Sequence, residues 1–200
     1  PATSSFPIAL KNYTAVLEKK DTARGGEVFI ANDDRLEKEE GEAGTLLPPP
    51  QVKSGQTTIT LTIDKIGLKD AQSYINSFIA VSLALDNGSI LESQKTPIST
   101  SLKPNYVSFG HTVHLQMTFE EIQARNLCLS FEFKHFKPQK KKISTRCFAL
   151  MEPKEILLAK DQPQVCLELY KKPTDWSRKS LSLFTIKQLY LHLSVTFTQH

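Results

Sequence analysis

The chain has 200 residues, 40% of them hydrophobic and 23% charged, ordinary values for a globular protein of one or two domains. No run of 18 apolar residues occurs, which excludes a membrane-spanning helix. The formal net charge of +4 hides an asymmetry: residues 1–53 carry 7 Lys+Arg against 9 Asp+Glu, a balance of −2, which leaves 18 against 12, or +6, for residues 54–200. The partners this favours are anionic surfaces.

Residues 1–53 read as a flexible acidic, Pro-rich tail or linker. Gly25-Gly26 and Pro48-Pro49-Pro50 interrupt regular structure, and a run of acids fills Asp33 to Glu42. Ile8, Ala9, Leu10, Tyr13, Val16 and Leu17 recur at helical spacing, so a short helix over 8–20 is the one element expected there. The start lacks the charged head and apolar centre of a signal peptide. Asn12-Tyr13-Thr14 and Asn87-Gly88-Ser89 match the glycosylation acceptor pattern, but without a secretory signal they read as chance.

From Thr57 the texture changes. Thr58 to Ile63 alternates strictly, the period of a half-buried strand. Phe78 to Leu85 repeats the pattern, and Asn87-Gly88 supplies a hairpin turn because both residues tolerate positive φ. Ile90 to Ile98 returns. Tyr106 to Met117, Leu127 to Lys134, Ile143 to Leu150, Gln164 to Tyr170 and Leu189 to Phe197 alternate in turn. Short helical inserts are expected at Phe119–Arg125 and Pro153–Leu157. Eight antiparallel strands with brief connections predict an all-β sandwich over 54–200, long enough for one core without staples.

Chemistry-bearing motifs are sparse. Cys128, Cys147 and Cys166 form no C-x-x-C pair and read as buried reduced thiols of a cytosolic protein. His111 and His114, three apart on a strand, point to opposite faces, and His192 reads as structural. No nucleophile elbow or Gly-rich phosphate loop appears, so no catalytic residue is assigned and no cofactor is expected. What stands out is Phe131-Glu132-Phe133-Lys134-His135-Phe136-Lys137-Pro138-Gln139-Lys140-Lys141-Lys142, a strand that runs into a basic loop. Lys134, Lys137, Lys140, Lys141, Lys142 and Arg146 stand with no acid among residues 134–146. His135 beside Lys134 and Lys137 is expected to disfavour its charged form and to donate to phosphate. Lys171-Lys172 and Arg178-Lys179 form a second basic patch around Trp176. That indole reads either as a plug at the sandwich edge or as an interfacial aromatic.

Several stretches together resemble the C-terminal C2 domain of the axin interactor, dorsalization-associated protein family. They are Leu61-Thr62-Ile63-Asp64-Lys65-Ile66-Gly67-Leu68-Lys69-Asp70-Ala71, Phe131 to Pro138 followed by Ser144-Thr145-Arg146-Cys147-Phe148-Ala149, Leu167 to Trp176, and Leu189-Tyr190-Leu191-His192-Leu193. The resemblance covers roughly 55–200 in order. It implies an eight-stranded C2 β-sandwich, phosphoinositide binding, binding of axin with restraint of JNK signalling, and a developmental role in dorsal–ventral patterning. Calcium-binding C2 domains use several loop carboxylates. Here Asp70 is kept, Asn76 stands where a second Asp belongs, and the later acid-x-acid pair is Glu132 and Lys134 followed by lysines. No metal is therefore expected; Asp70 reads as a turn former and Glu132 as a strand residue.

The reading is a non-catalytic, cytoplasmic adaptor, peripheral at membranes, that binds anionic phospholipid without calcium and also binds a scaffold protein. A pure protein-interaction scaffold is the alternative. Nucleic acid is disfavoured, because no stacking aromatics line the basic stretch.

Overall fold

A computed structural model describes residues 44–200. The expected helix over 8–20 and the acidic run of 33–42 lie outside the described residues. Within them the chain forms β1 (Thr57–Gly67), β2 (Ile75–Ala84), β3 (Ile90–Lys95), β4 (Ser101–Lys103), β5 (Tyr106–His114), α1 (Phe119–Ala124), β6 (Cys128–Lys137), β7 (Lys142–Met151), α2 (Pro153–Leu158), β8 (Gln164–Leu167), β9 (Tyr170–Lys171) and β10 (Leu191–Gln199). These make two antiparallel five-stranded sheets, ordered β4-β5-β1-β10-β8 and β3-β2-β6-β7-β9. All eight expected strands and both helical inserts are present. The two further strands, β4 and β9, are three and two residues long, too short for alternation to register.

Inward-facing residues of both sheets interdigitate. Ile59, Leu61 and Ile63 of β1 are fully buried, as the strict alternation of Thr58–Ile63 requires. A bulge between Ile63 and Lys65, shared with both neighbouring strands, then shifts the parity, so that Ile66 and Leu68 are also buried. Phe131 and Phe133 of β6 fill the centre with Ile79, Val81 and Leu83 of β2. Truncating either phenylalanine to Ala removes about 3–5 kcal/mol.

A second, smaller apolar cluster lies on the other face of the β6–β7 pair. Cys128, Phe148 and Leu150 are covered there by Tyr170, Trp176 and Leu181. The cover is the long connection between β9 and β10, here called the strap. It leaves β9, crosses the outer face with Thr174 donating to Glu132, and reaches the β2–β3 turn, where Trp176 stands against Gly88. It then returns beside β9, with Lys171 N–H donating to the Ser182 carbonyl and Phe184 N–H to that of Leu169. At the β2–β3 turn Gly88 adopts positive φ, while the Asn87 side chain accepts from Ser89 N–H. Trp176 closes over that turn: a Cβ on Gly88 would lie 3.2 Å from its ring.

Residues 44–53, grouped by sequence with the tail, run along β3. Thr45 N–H donates to the Lys95 carbonyl, Lys95 N–H to Thr45 Oγ1, and Leu47 N–H to Gln94 Oε1. Gln116 Nε2 donates to the Pro48 carbonyl, and Leu46 packs on the core.

The thiols need one correction. Cys128 and Cys147 are buried and free, and burial pushes their pKa values up to about 11 and about 12. Cys166 is exposed instead. It lies on β8, the edge of the first sheet, directly opposite His192. An edge strand has no neighbour to cover an outward side chain, and alternation alone does not reveal which strand is an edge.

Candidate functional site

The site is assembled at the end of the sandwich where β6 turns into β7. Lys137 and Lys142 are cross-strand partners, and Pro138–Lys140 form a 3-10 turn between them, closed by Lys141 in the left-handed conformation. That turn leaves Lys140, Lys141 and Lys142 exposed. Alternation along β6 sends Phe133 and His135 to the core side and Lys134 and Phe136 to the outer side.

The core-side row gathers the charge. His135 lies opposite Ser144, and Lys172 Nζ, delivered by the start of the strap, donates to Ser144 Oγ at 3.5 Å. Arg146 is fixed twice: its Nε donates to Tyr74 Oη at 3.0 Å, and its guanidinium sits 4.8 Å above the Phe184 ring. Lys137 is held below the ordinary lysine pKa by residual desolvation and then by the cations around it: Lys172, Lys140, Arg146 and Lys142. Five cations from two distant segments thus share one field. Among the described residues none of the five is in an ion pair with a carboxylate. Such a ring offers ammonium and guanidinium N–H donors together with positive charge. What it can do is collect anionic oxygens.

Other residues singled out in the sequence sit elsewhere. His135 is buried beneath the cluster, edge-on to Tyr74 at 4.9 Å between ring centres. Its pKa is lowered, first by burial and then by Lys137, Arg146 and Lys172; the sequence had pointed to the neighbouring charges alone. Lys134 faces outward and is paired with Glu132 at 2.8 Å while donating to Thr145 at 2.9 Å. Lys171, Lys172 and Lys179 line an open hollow of about 680 Å³ inside the strap, shared with Asp175. Arg178 lies near the opposite end of β6, 4.0 Å from Glu152. The second basic patch is therefore divided: Lys172 joins the main cluster and Arg178 does not. Trp176 is half-buried against Cys128, Phe148 and Leu150. Asp70 opens a short 3-10 turn whose first carbonyl accepts from both Ser73 N–H and Ser73 Oγ.

Tyr74 and Phe184, which hold Arg146, were not found by sequence reasoning. Their signal is only spatial, because they are 72 and 38 residues from Arg146 along the chain.

The two antiparallel sheets make a β-sandwich of the C2 type. The family model for that C2 domain, described as "Axin interactor dorsalisation-associated protein, C-terminal", matches residues 46–195. The chain belongs to the axin interactor, dorsalization-associated protein family. It is 47% identical over 154 residues to the protein of that name from Danio rerio, covering 76% of this chain and 49% of the relative. The Homo sapiens protein is 46% identical over the same shares. The chain thus spans about half the length of these relatives. Among solved structures, the C2A domain of a plant extended synaptotagmin 1 gives a TM-score of 0.48 at 12% identity, covering 74% of this chain and 98% of that one. Among the described residues no helix is long and apolar enough to cross a membrane.

Proposed function

We propose that this domain is an adaptor that docks its cationic end on anionic, phosphoinositide-bearing membrane without calcium. It also binds a scaffold protein, axin by the name its relatives carry, and through it restrains JNK signalling. The observation that supports the membrane half is the convergence of Lys137, Lys140, Lys142, Arg146 and Lys172 on one exposed end. Basic residues near an anionic bilayer gain roughly 1 kcal/mol each, screened beyond about a Debye length. Half of the cluster engaged gives a few kcal/mol, enough for weak, reversible docking. Glu132 is engaged by Lys134 and Thr174, which leaves Asp70 as the one carboxylate of the calcium-type pattern not already paired. The axin half rests on family membership, with no surface assigned to it.

Co-sedimentation with phosphoinositide vesicles, with and without calcium, tests the reading. Binding unchanged by chelation and weakened by salt is the expected result. A domain that stays in the supernatant at low salt is a protein-only scaffold.

A further inference from the structure

The returning limb of the strap sets a serine among cations. Tyr170 and Leu183 are antiparallel bridge partners, and Lys171 N–H donates to the Ser182 carbonyl at 2.8 Å, so Ser182 stands directly across from Lys171. Both line the open hollow inside the strap, together with Lys172 and Lys179. The carboxylate of that hollow, Asp175, is spent on the strap itself. Its Oδ1 accepts from Ser177 N–H and Ser177 Oγ, and its Oδ2 from Ser180 N–H. A new negative charge on Ser177 or Ser180 would therefore meet a carboxylate. Ser182 lies further on, and Asp175 is the last acid of the chain: none occurs in residues 176–200.

The sequence before Ser182 fits a modifying enzyme. Arg178 and Lys179 stand four and three residues ahead of it, a charge pattern of the kind by which protein kinases choose substrates. Lys140-Lys141-Lys142 precede Ser144 at similar spacing. But Ser144 lies within β7 opposite His135, half-buried, and its hydroxyl accepts from Lys172. Ser182 is exposed and lies outside β9, the last strand of its sheet.

We infer that Ser182 is a phosphorylation site whose phosphate is held by Lys171 and Lys172, and that this capture weakens docking of the cationic end. The γ-phosphoryl group of ATP passes to Ser182 Oγ. Its bond to the oxygen bridging the β-phosphate breaks, ADP leaves, and the hydroxyl proton goes to the catalytic carboxylate of the kinase. The product carries a charge of about −1.5 to −2 and three acceptor oxygens. Lys172 is one of the five cations of the docking cluster, and Phe184, two residues beyond Ser182, supports Arg146. The phosphate therefore lowers the field of that end from within the chain. The effect on docking rests on the membrane reading above; the capture of the phosphate does not.

The full chain, given ATP, Mg²⁺ and the lipid-independent catalytic fragment of protein kinase C, should take up phosphate at Ser182, located by mass spectrometry, and Ser182→Ala should lose it. Phosphate at Ser144 or Ser180 with none at Ser182 overturns the assignment. With phosphoserine incorporated at position 182 by codon suppression, phosphorus NMR should give a second phosphate pKa about half a pH unit below that of the free 176–188 phosphopeptide, because nearby ammonium groups favour the dianion. Lys171→Gln with Lys172→Gln should restore the peptide value. Equal values in chain and peptide overturn the capture. The phosphorylated chain should bind phosphatidylinositol phosphate vesicles about 25-fold more weakly than the wild type, two charges at about fivefold each. Unaltered binding overturns the effect on docking. Failure of the unmodified wild type to sediment overturns the membrane reading instead, and the titration still decides the capture.

Discussion

At the end of the sandwich where β6 begins, acids serve the backbone. Glu121 Oε2 accepts from Thr118 N–H at 2.8 Å in the capping box of α1, Glu155 does the same for Glu152 at 2.6 Å in α2, and Glu120 accepts from Thr57 N–H at 3.0 Å. Where β6 finishes, the cations have no such employment. Lys137, Lys140 and Lys142 satisfy no cap, and they crowd one another. The first end invests its charge in stability. The second holds like charges together, a repulsion that an opposite charge arriving from outside would relieve. The difference between the ends predicts which substitutions change melting and which change binding.

The largest effect is expected from replacing Lys140, Lys141 and Lys142 together by Glu. Losing three cations at roughly 1 kcal/mol each weakens vesicle binding about a hundredfold, and the reversed charges add repulsion. Stability should stay within about 0.5 kcal/mol of the wild type, since the hairpin is exposed. Co-sedimentation and a thermal melt on the same sample check both halves. A melt lowered as much as by Phe133→Ala would show that the lysines belong to the fold, and the contrast between the ends would be lost.

The converse experiment is Glu121→Ala. It removes the capping box and with it about 1 kcal/mol, a drop of about 2–4 °C for a domain of this size. Vesicle binding should not change. Binding that moved with this residue would mean that the cationic end depends on the far end of the sandwich.

Most of the scaffold was legible because alternation is a local signal. Thr58–Ile63 declares its buried face without reference to anything else. Membership of the site was less legible because it is a property of strand pairing. Lys172 reaches Ser144 only because β9 lies beside β7. Arg178, six residues further on, leaves the cluster because the strap has by then crossed the sheet to Glu152. One misplacement did have a sequence signal. Glu132 and Lys134 are two apart on a strand, so they share a face and can neutralise each other, which removes Lys134 from the free cations. The exposure of Ile186 had none: it stands among Leu181, Leu183, Phe184 and Leu189, and nothing in that pattern marks it as the one left most uncovered.

A smaller effect concerns acid. His135 has its pKa lowered by burial and neighbouring cations, so the unfolded chain binds its proton more readily than the folded one. Stability therefore falls as pH drops through the ordinary histidine value of 6.5. His192 is shifted in the same direction, by burial and then Lys65. Between about pH 7.5 and about pH 5.5 the melting temperature should fall, and His135→Gln should flatten part of that slope. A variant with the full wild-type slope would place the acid sensitivity elsewhere.

The smallest expected effect is the sharpest test of the site's boundary. Lys134→Gln and Lys140→Gln each remove one positive charge, and a field set only by net charge would weaken binding equally in the two. The geometry says otherwise. Lys134 is held by Glu132 at 2.8 Å and by Thr145 on the outer face, so its removal exposes the Glu132 carboxylate but withdraws no free cation. Lys140 adds to the field at Lys137 and carries its charge into solvent. Lys134→Gln should change the vesicle dissociation constant by less than about twofold, while Lys140→Gln raises it about fivefold, the effect of roughly 1 kcal/mol. Lys134→Gln should instead cost about 0.5 kcal/mol of stability, the ordinary worth of a half-exposed ion pair. Equal losses of binding in the two variants would extend the docking face down the outer side of β6, beneath the strap.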